Sequence, residues 1–300
     1  MAELRTQVDN ALDETRMLIL GAQVLLGFQF QGAFQSGFAK LPAGAQDLKM
    51  IGLALMLIAV GLLLAPGPYH QILLRGHDSG ALIAFTNRIA GLALLPFALS
   101  IGIDVYVAGT GLIGDTRAVV LAIATAATAL FFWFGLEFLV RRGEQRKRDC
   151  MTNDTQTDLS TRIKHVLTEA RVVLPGVQAL LGFQFIAVLT DSFGSLPKLS
   201  QYLHLAALVL LALSVVLLMA PAAFHRIVEG GEDTERLHTF ASIMVLGAMV
   251  PLALGVAGDA YIVVNKVVQS ETLAVVTGAL ALVFFYGLWF ALPATIKAAR

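Results

Sequence analysis

Charge is what this sequence has least of. Only 14 % of its 300 residues are Asp, Glu, Lys or Arg, where a water-soluble domain carries about 25 %. The 21 basic residues are matched by 21 acidic ones, so there is no basic excess of the kind that draws a protein onto nucleic acid. The single cysteine, Cys150, excludes an intramolecular disulfide framework and a cluster of thiolate metal ligands. A Gly-x-x-x-x-Gly-Lys phosphate loop, a His-Glu-x-x-His zinc pair and a Gly-x-Ser-x-Gly elbow are all missing. That weighs against an enzyme and implies no cofactor. The opening mixes Glu3, Arg5, Asp9, Asp13, Glu14 and Arg16, unlike the basic-then-apolar order of a cleavable signal peptide.

What the chain has instead is apolar length. Hydrophobic residues make up 57 % of it, and mean hydropathy is +0.76. A helix needs about 20 apolar residues to cross a hydrocarbon layer about 30 Å thick. Eight such stretches are predicted. They are Met17 to about Phe38, Met50–Pro66, about Ala81 to Val105, and the gap between Arg117 and Arg141, then Val172–Thr190, Leu205–Ala223, Thr239–Gly258 and Leu273–Pro293. Helices satisfy every backbone amide within their own segment, and runs this long do not suit the short alternating strands of a porin-like barrel. The expected fold is an all-α integral membrane protein.

The chain is also one unit written twice. Gln23-Val24-Leu25-Leu26-Gly27-Phe28-Gln29-Phe30 returns as Gln178-Ala179-Leu180-Leu181-Gly182-Phe183-Gln184-Phe185, 155 positions later. The same offset carries Leu41-Pro42 onto Leu196-Pro197, Pro96 onto Pro251, and Asp104 and Tyr106 onto Asp259 and Tyr261. Roughly a third of the positions between Glu14 and Tyr106 are identical to their partners, a repeat signal that takes precedence over local fold reading. Four helices per copy give two parallel four-helix repeats, 1–140 and 158–300, joined by a charged linker, 141–157. Ahead of each first span, Leu4, Val8 and Leu12, and again Leu159, Ile163 and Leu167, recur at helical spacing. They predict short amphipathic helices lying at the bilayer surface, with an ordinary solvated lead-in as the alternative.

Sidedness follows from charge. Of the 21 Lys and Arg residues, Arg88 falls within a span and Lys40, Lys49, Arg117, Lys198 and Lys266 lie on one face. The other fifteen lie with the linker and the termini, so the positive-inside rule places both termini in the cytoplasm and the protein in the bacterial inner membrane. Repeats with an even number of spans share one orientation, about an axis along the membrane normal.

Each copy resembles a bacterial membrane family known only as a domain of unknown function, whose usual member is a single four-helix unit. The features that carry the resemblance are Glu-x-Arg at Glu14/Arg16 and Glu169/Arg171, and Pro175-Gly176-Val177-Gln178, of which the first copy keeps Gly21 and Gln23. A third is Ala-Pro-x-x-x-His at Ala65…His70 and Ala220…His225. The Arg usual after that His stands as Arg226 but is Gln71 in the first copy. The resemblance implies a fold and a location, and no activity.

Several polar residues invite two readings. Arg16, Gln23 and Gly27 share one helical stripe with Phe30 and Phe34, and Arg171, Gln178 and Gly182 repeat it. The stripe reads either as helix-packing glue or as a polar path between the copies. His70 and His225 follow a proline at the inner end of the second spans, as helix-end hydrogen-bonding groups or as ligands paired across the pseudo-twofold axis. Asp104 and Asp259 are placed near the headgroups, with a cation site at the outer rim as the alternative. Arg88 and Glu137 are both charged where the second copy is apolar, which suggests an intramembrane ion pair, with each side chain reaching separately for the headgroups as the alternative. The favoured function is a non-catalytic scaffold, or a component that binds lipid or a protein partner. The alternative is a carrier or channel for a small solute or ion between the repeats.

Overall fold

The computed structural model describes residues 2–73, 80–135, 153–230 and 232–298, and among them every regular element is helical. Among the described residues eight long helices overlap the predicted apolar stretches. These are α1 (Ala2–Ala33), α2 (Ala43–Leu64), α3 (Gly80–Ile113) and α4 (Asp115–Leu130), then α5 (Asn153–Val188), α6 (Lys198–Ile227), α7 (Glu235–Val268) and α8 (Glu271–Tyr286). The seven after α1 are long and apolar enough to cross a membrane, and α1 carries a shorter apolar stretch, Leu18–Ala33. Short π-helical turns, Phe131–Gly135 and Gly287–Ala291, continue α4 and α8.

The lead-in segments are not separate helices. α1 and α5 run unbroken for 32 and 36 residues, because neither Gly nor Pro interrupts 4–20 or 159–174. In α5 the stripe Leu159, Ile163, Leu167 is buried against Phe224 and Leu237. These three side chains, expected at the bilayer surface, instead form a satellite core. The end of the linker, from Asn153, is already helix; the rest, with Glu137, lies outside the described residues.

The repeat is visible in local detail. Tyr69 stacks on Phe85 at 4.1 Å, and their counterparts Phe224 and Phe240 stack at 4.4 Å. The turn into α4 needs a positive φ at Gly114 (81°), and the turn into α8 needs one at Gln269 (55°), its partner 155 positions on. At the seam between copies, α1 packs on α5 and Phe28 meets its own counterpart Phe183 at 4.4 Å. A residue touching its own repeat equivalent is the mark of contact close to a twofold axis. A Cβ at Gly182 would lie 2.1 Å from the Phe28 ring, and one at Gly21 would lie 1.4 Å from the Gln178 amide. Each glycine is the hollow for a side chain of the facing helix.

Away from that seam the symmetry fails. α6 also packs on α3 and α4, and Trp133 donates its indole N–H to the Val216 carbonyl at 3.1 Å. α2 has no comparable contact with α7 or α8. Two-thirds of the most apolar stretch of α6 is buried (67 %), against 33 % for α2. α6 is therefore the central post, while its counterpart α2 is peripheral.

Candidate functional site

At the far end of the first copy from the termini, four polar side chains are buried together: Gln29 on α1, Lys49 on α2, and Ser100 and Asp104 on α3. Ser100 and Asp104 are four residues apart and so share one helix face. Lys49 stands six residues into α2, about 9 Å along it. Its ammonium contacts Asp104 Oδ1, with the two side chains only 3 % and 1 % exposed. The Gln29 amide donates to Asp104 Oδ2 at 2.5 Å and to the Ser100 hydroxyl at 2.8 Å. Ser100 in turn donates to the Gly52 carbonyl at 2.9 Å. The Phe185 ring of the second copy lies 5.8 Å from Lys49 Nζ, within cation–π range. A buried ion pair needs further hydrogen bonds to offset its desolvation, and Gln29 and Ser100 supply them here, although Gln29 Oε1 itself has no partner.

The second copy keeps half of this arrangement. Gln184 Nε2 donates to Asp259 Oδ2 at 2.6 Å, as Gln29 does to Asp104. The lysine has become His204, whose Nε2 is 3.1 Å from the Gln184 backbone carbonyl and whose Nδ1 is 4.0 Å from Asp259 Oδ1. Ser100 has become Gly255, where a Cβ would meet Leu211 at 3.0 Å and the Ala207 carbonyl at 3.3 Å. Beside these groups opens a cleft of about 280 Å³, lined by Gln184, His204 and Asp259 and walled by carbon from Phe183, Phe193 and Ile262. His204 is buried, and the Asp259 side chain is 29 % exposed. The first copy closes its carboxylate with its own lysine. The second leaves it on a cavity.

The sequence pattern of one family is matched over residues 3–137 and matched again over 153–293. The chain belongs to the family of unknown function DUF6328. Each DUF6328 match covers one four-helix repeat, in agreement with a tandem duplication. No curated protein and no solved structure matches the chain.

The residues singled out in sequence fall in different places. Arg16, Gln23 and Gly27 are on the exposed side of α1, because α1 turns Gly21, Ala22, Leu25 and Phe28 toward its neighbours. In α5, Gln178 and Gly182 are buried and Arg171 is half-buried. The stripe thus faces inward in one copy and outward in the other. His225 is buried with Nε2 3.7 Å from Asp233 Oδ1, and His70 is half-buried in the π-helical turn Tyr69–Leu73. No group of three or more His, Cys, Asp or Glu that would hold a metal ion occurs among the described residues. Arg88 is exposed on α3. Arg226, which stands where the resemblance expects an arginine, donates to Thr15 of the first copy at 3.0 Å.

The polar core differs from the sequence expectation at two residues. Lys49, expected with the charges of one loop face, sits inside α2, and Asp104, expected among the headgroups, is buried between helices. The signal was present. The 155-residue offset carries Gln29, Lys49 and Asp104 onto Gln184, His204 and Asp259, and polar groups at matching depth in apolar helices call for one another.

Proposed function

We propose that the protein is an eight-span inner-membrane protein with both termini cytoplasmic, acting as a non-catalytic binding component. In this reading the first repeat is the scaffold and the second takes a ligand at its outer end. The observation that carries it is the contrast between Asp104, sealed by Lys49, and Asp259, which lines the cleft. The seam between α1 and α5 is filled by Phe28, Phe183 and Gln178. α3 and α7 run 34 residues each through Pro96 and Pro251 without a break. Carriers more often break a helix at mid-depth and bind where their repeats meet, so a transport path between the copies is the weaker reading.

Native mass spectrometry on protein extracted from its host membrane tests the cleft. A non-covalent mass should leave with the wild type and be absent from Ala187→Trp, which places an indole on the cleft wall. Equal retention in both overturns the reading, as does a bare chain in both. The sidedness is tested by single cysteines at 141–157 in a Cys150→Ser background, which should react only after the inner face is opened.

A further inference from the structure

The cleft in the second copy is lined with acceptors that have no donor. Asp259 Oδ2 is taken by Gln184, but Oδ1 stands 4.0 Å from His204 Nδ1, beyond hydrogen-bond reach. A carbonyl can only accept, so the bond to Gln184 O puts the imidazole proton on Nε2 and leaves Nδ1 of the neutral ring as an acceptor. Gln184 is 4 % exposed and lines the cleft, and its Oε1 finds no partner, as Gln29 Oε1 finds none in the first copy, since each amide nitrogen is turned to its aspartate. Three acceptors thus border one cavity, and one belongs to a carboxylate. The same molecule shows what such a place accepts. In the first copy the position of His204 is Lys49, and its Nζ sits on the carboxylate Oδ1 that is left open in the second. Shortening the lysine to a histidine takes the ammonium away and leaves its receptor.

We propose that this cleft binds a primary ammonium group carried on an apolar body, the ligand's nitrogen standing where Lys49 Nζ stands in the first repeat. The inference rests on the binding reading above and adds the ligand class to it. An ammonium there would donate to Asp259 Oδ1, as Lys49 does to Asp104 Oδ1 in the first repeat, and charge-assisted bonds to a carboxylate are about twice as strong as neutral ones. The walls suit the rest of the ligand, since Phe183, Phe193 and Ile262 offer carbon, and Phe193 packs edge-on against the His204 ring at 5.2 Å. Lys266 also lines the cleft, seven residues along α7 from Asp259 and so about 10 Å away. It is far enough to leave the carboxylate to the ligand and close enough to meet a phosphate or carboxylate on the ligand's other end. Two sources carry this chemistry, an aminophospholipid headgroup and a free hydrophobic amine.

The test is calorimetric titration of the full-length protein in phosphatidylcholine nanodiscs. The probes are benzylammonium, benzyltrimethylammonium and benzyl alcohol. Benzylammonium should bind, and the other two, lacking either the donors or the charge, should bind at least about tenfold more weakly. His204→Lys supplies an internal ammonium and should weaken benzylammonium at least about tenfold without lowering Tm, as Asp259→Asn should by removing the charge. Discs made with phosphatidylethanolamine should compete with benzylammonium if the source is a lipid, and leave its affinity unchanged if it is a free amine. Three probes of equal affinity would overturn the ammonium assignment and leave the cleft reading intact, as would undiminished binding by a folded His204→Lys. Silence from all three probes, together with a bare chain in mass spectrometry, would remove both readings.

Discussion

The two repeats solve the same problem in opposite ways. Each brings a glutamine from its first helix to an aspartate on its third, with the amide donating at 2.5 Å in one and 2.6 Å in the other. The first adds a lysine and a serine and closes on itself. The second substitutes a histidine and a glycine and opens. What separates them is the cation: the first repeat holds Lys49 on its carboxylate, while in the second the carboxylate lines a cleft. The surrounding packing differs in the same sense. α6, which carries His204, is the most enclosed element together with α3, while α2, which carries Lys49, is peripheral. The copy with the open site is thus built on the better-buried helix, which suits a site that must keep its shape when empty.

The largest test of this contrast removes the lysine. Lys49→Met strands the Asp104 carboxylate in an apolar setting and should cost about 3–5 kcal/mol, as broken buried pairs do. Lys49→Met with Asp104→Leu should recover much of it. Asp259→Asn in the second copy should cost much less, because no internal cation is orphaned there. Thermal unfolding of the three variants in one detergent decides, and a loss from Asp259→Asn as large as that from Lys49→Met would dissolve the distinction.

A smaller effect is expected at the seam, where equivalent positions behave oppositely. Gly182→Ala pushes a Cβ into Phe28 and should cost about 1–3 kcal/mol by overpacking. Its counterpart Gly27 has nothing within 4 Å of the added Cβ, so Gly27→Ala should be neutral or stabilise by up to about 1 kcal/mol. Guanidinium- or heat-induced unfolding that shifts both variants the same way would show the seam to be symmetric.

Ser100→Gly copies the second repeat into the first. It deletes the bonds to Gln29 and Gly52 and should cost about 1–2 kcal/mol in the same unfolding assay. The turn into α8 offers a gain instead. Gln269 holds φ 55° where the first copy uses Gly114, and Gln269→Gly should stabilise by about 1 kcal/mol.

The smallest effect crosses the copies at the exposed end. Lys40 bonds Asp191. The Lys40 and Ser36 hydrogen bonds and the Lys40 charge hold the Asp191 carboxyl below its ordinary range. A carboxyl lowered on folding stabilises above its unfolded value and loses that contribution as pH falls through the folded one. Asp191→Asn should therefore remove a slight part of the acid dependence of Tm and leave neutral-pH stability almost unchanged. The pair is exposed and screened by salt.

The repeat and its helices were legible because each rests on a signal that survives in one dimension. An apolar run has a length, and a gap-free offset has a register. The lopsided packing was not legible. α2 and α6 have peak mean hydropathies of 2.5 and 2.7, and nothing in apolar composition says which will be enclosed by a neighbour. The same limit hid the fate of the Gln23 and Gln178 stripe, since two nearly identical octets take different faces to the seam. Lys49 is hidden for a different reason: it lies close in sequence to a loop, and only its distance from Pro42, which caps the start of α2, shows that it stands within the helix.

The contact of Phe28 with Phe183 has a consequence for how such a molecule can change. Were the two halves separate, identical chains, one gene would dictate both sides of that contact. Every substitution would then arrive in duplicate, and a lysine that sealed one half would seal the other. Covalent fusion releases the halves from that obligation. After it, a change at position 204 need not be tolerated at position 49, and the two halves can take on different polar cores. The aromatic contact is one that two identical halves could also make, whereas the difference between Lys49 and His204 is one that only a fused chain can hold.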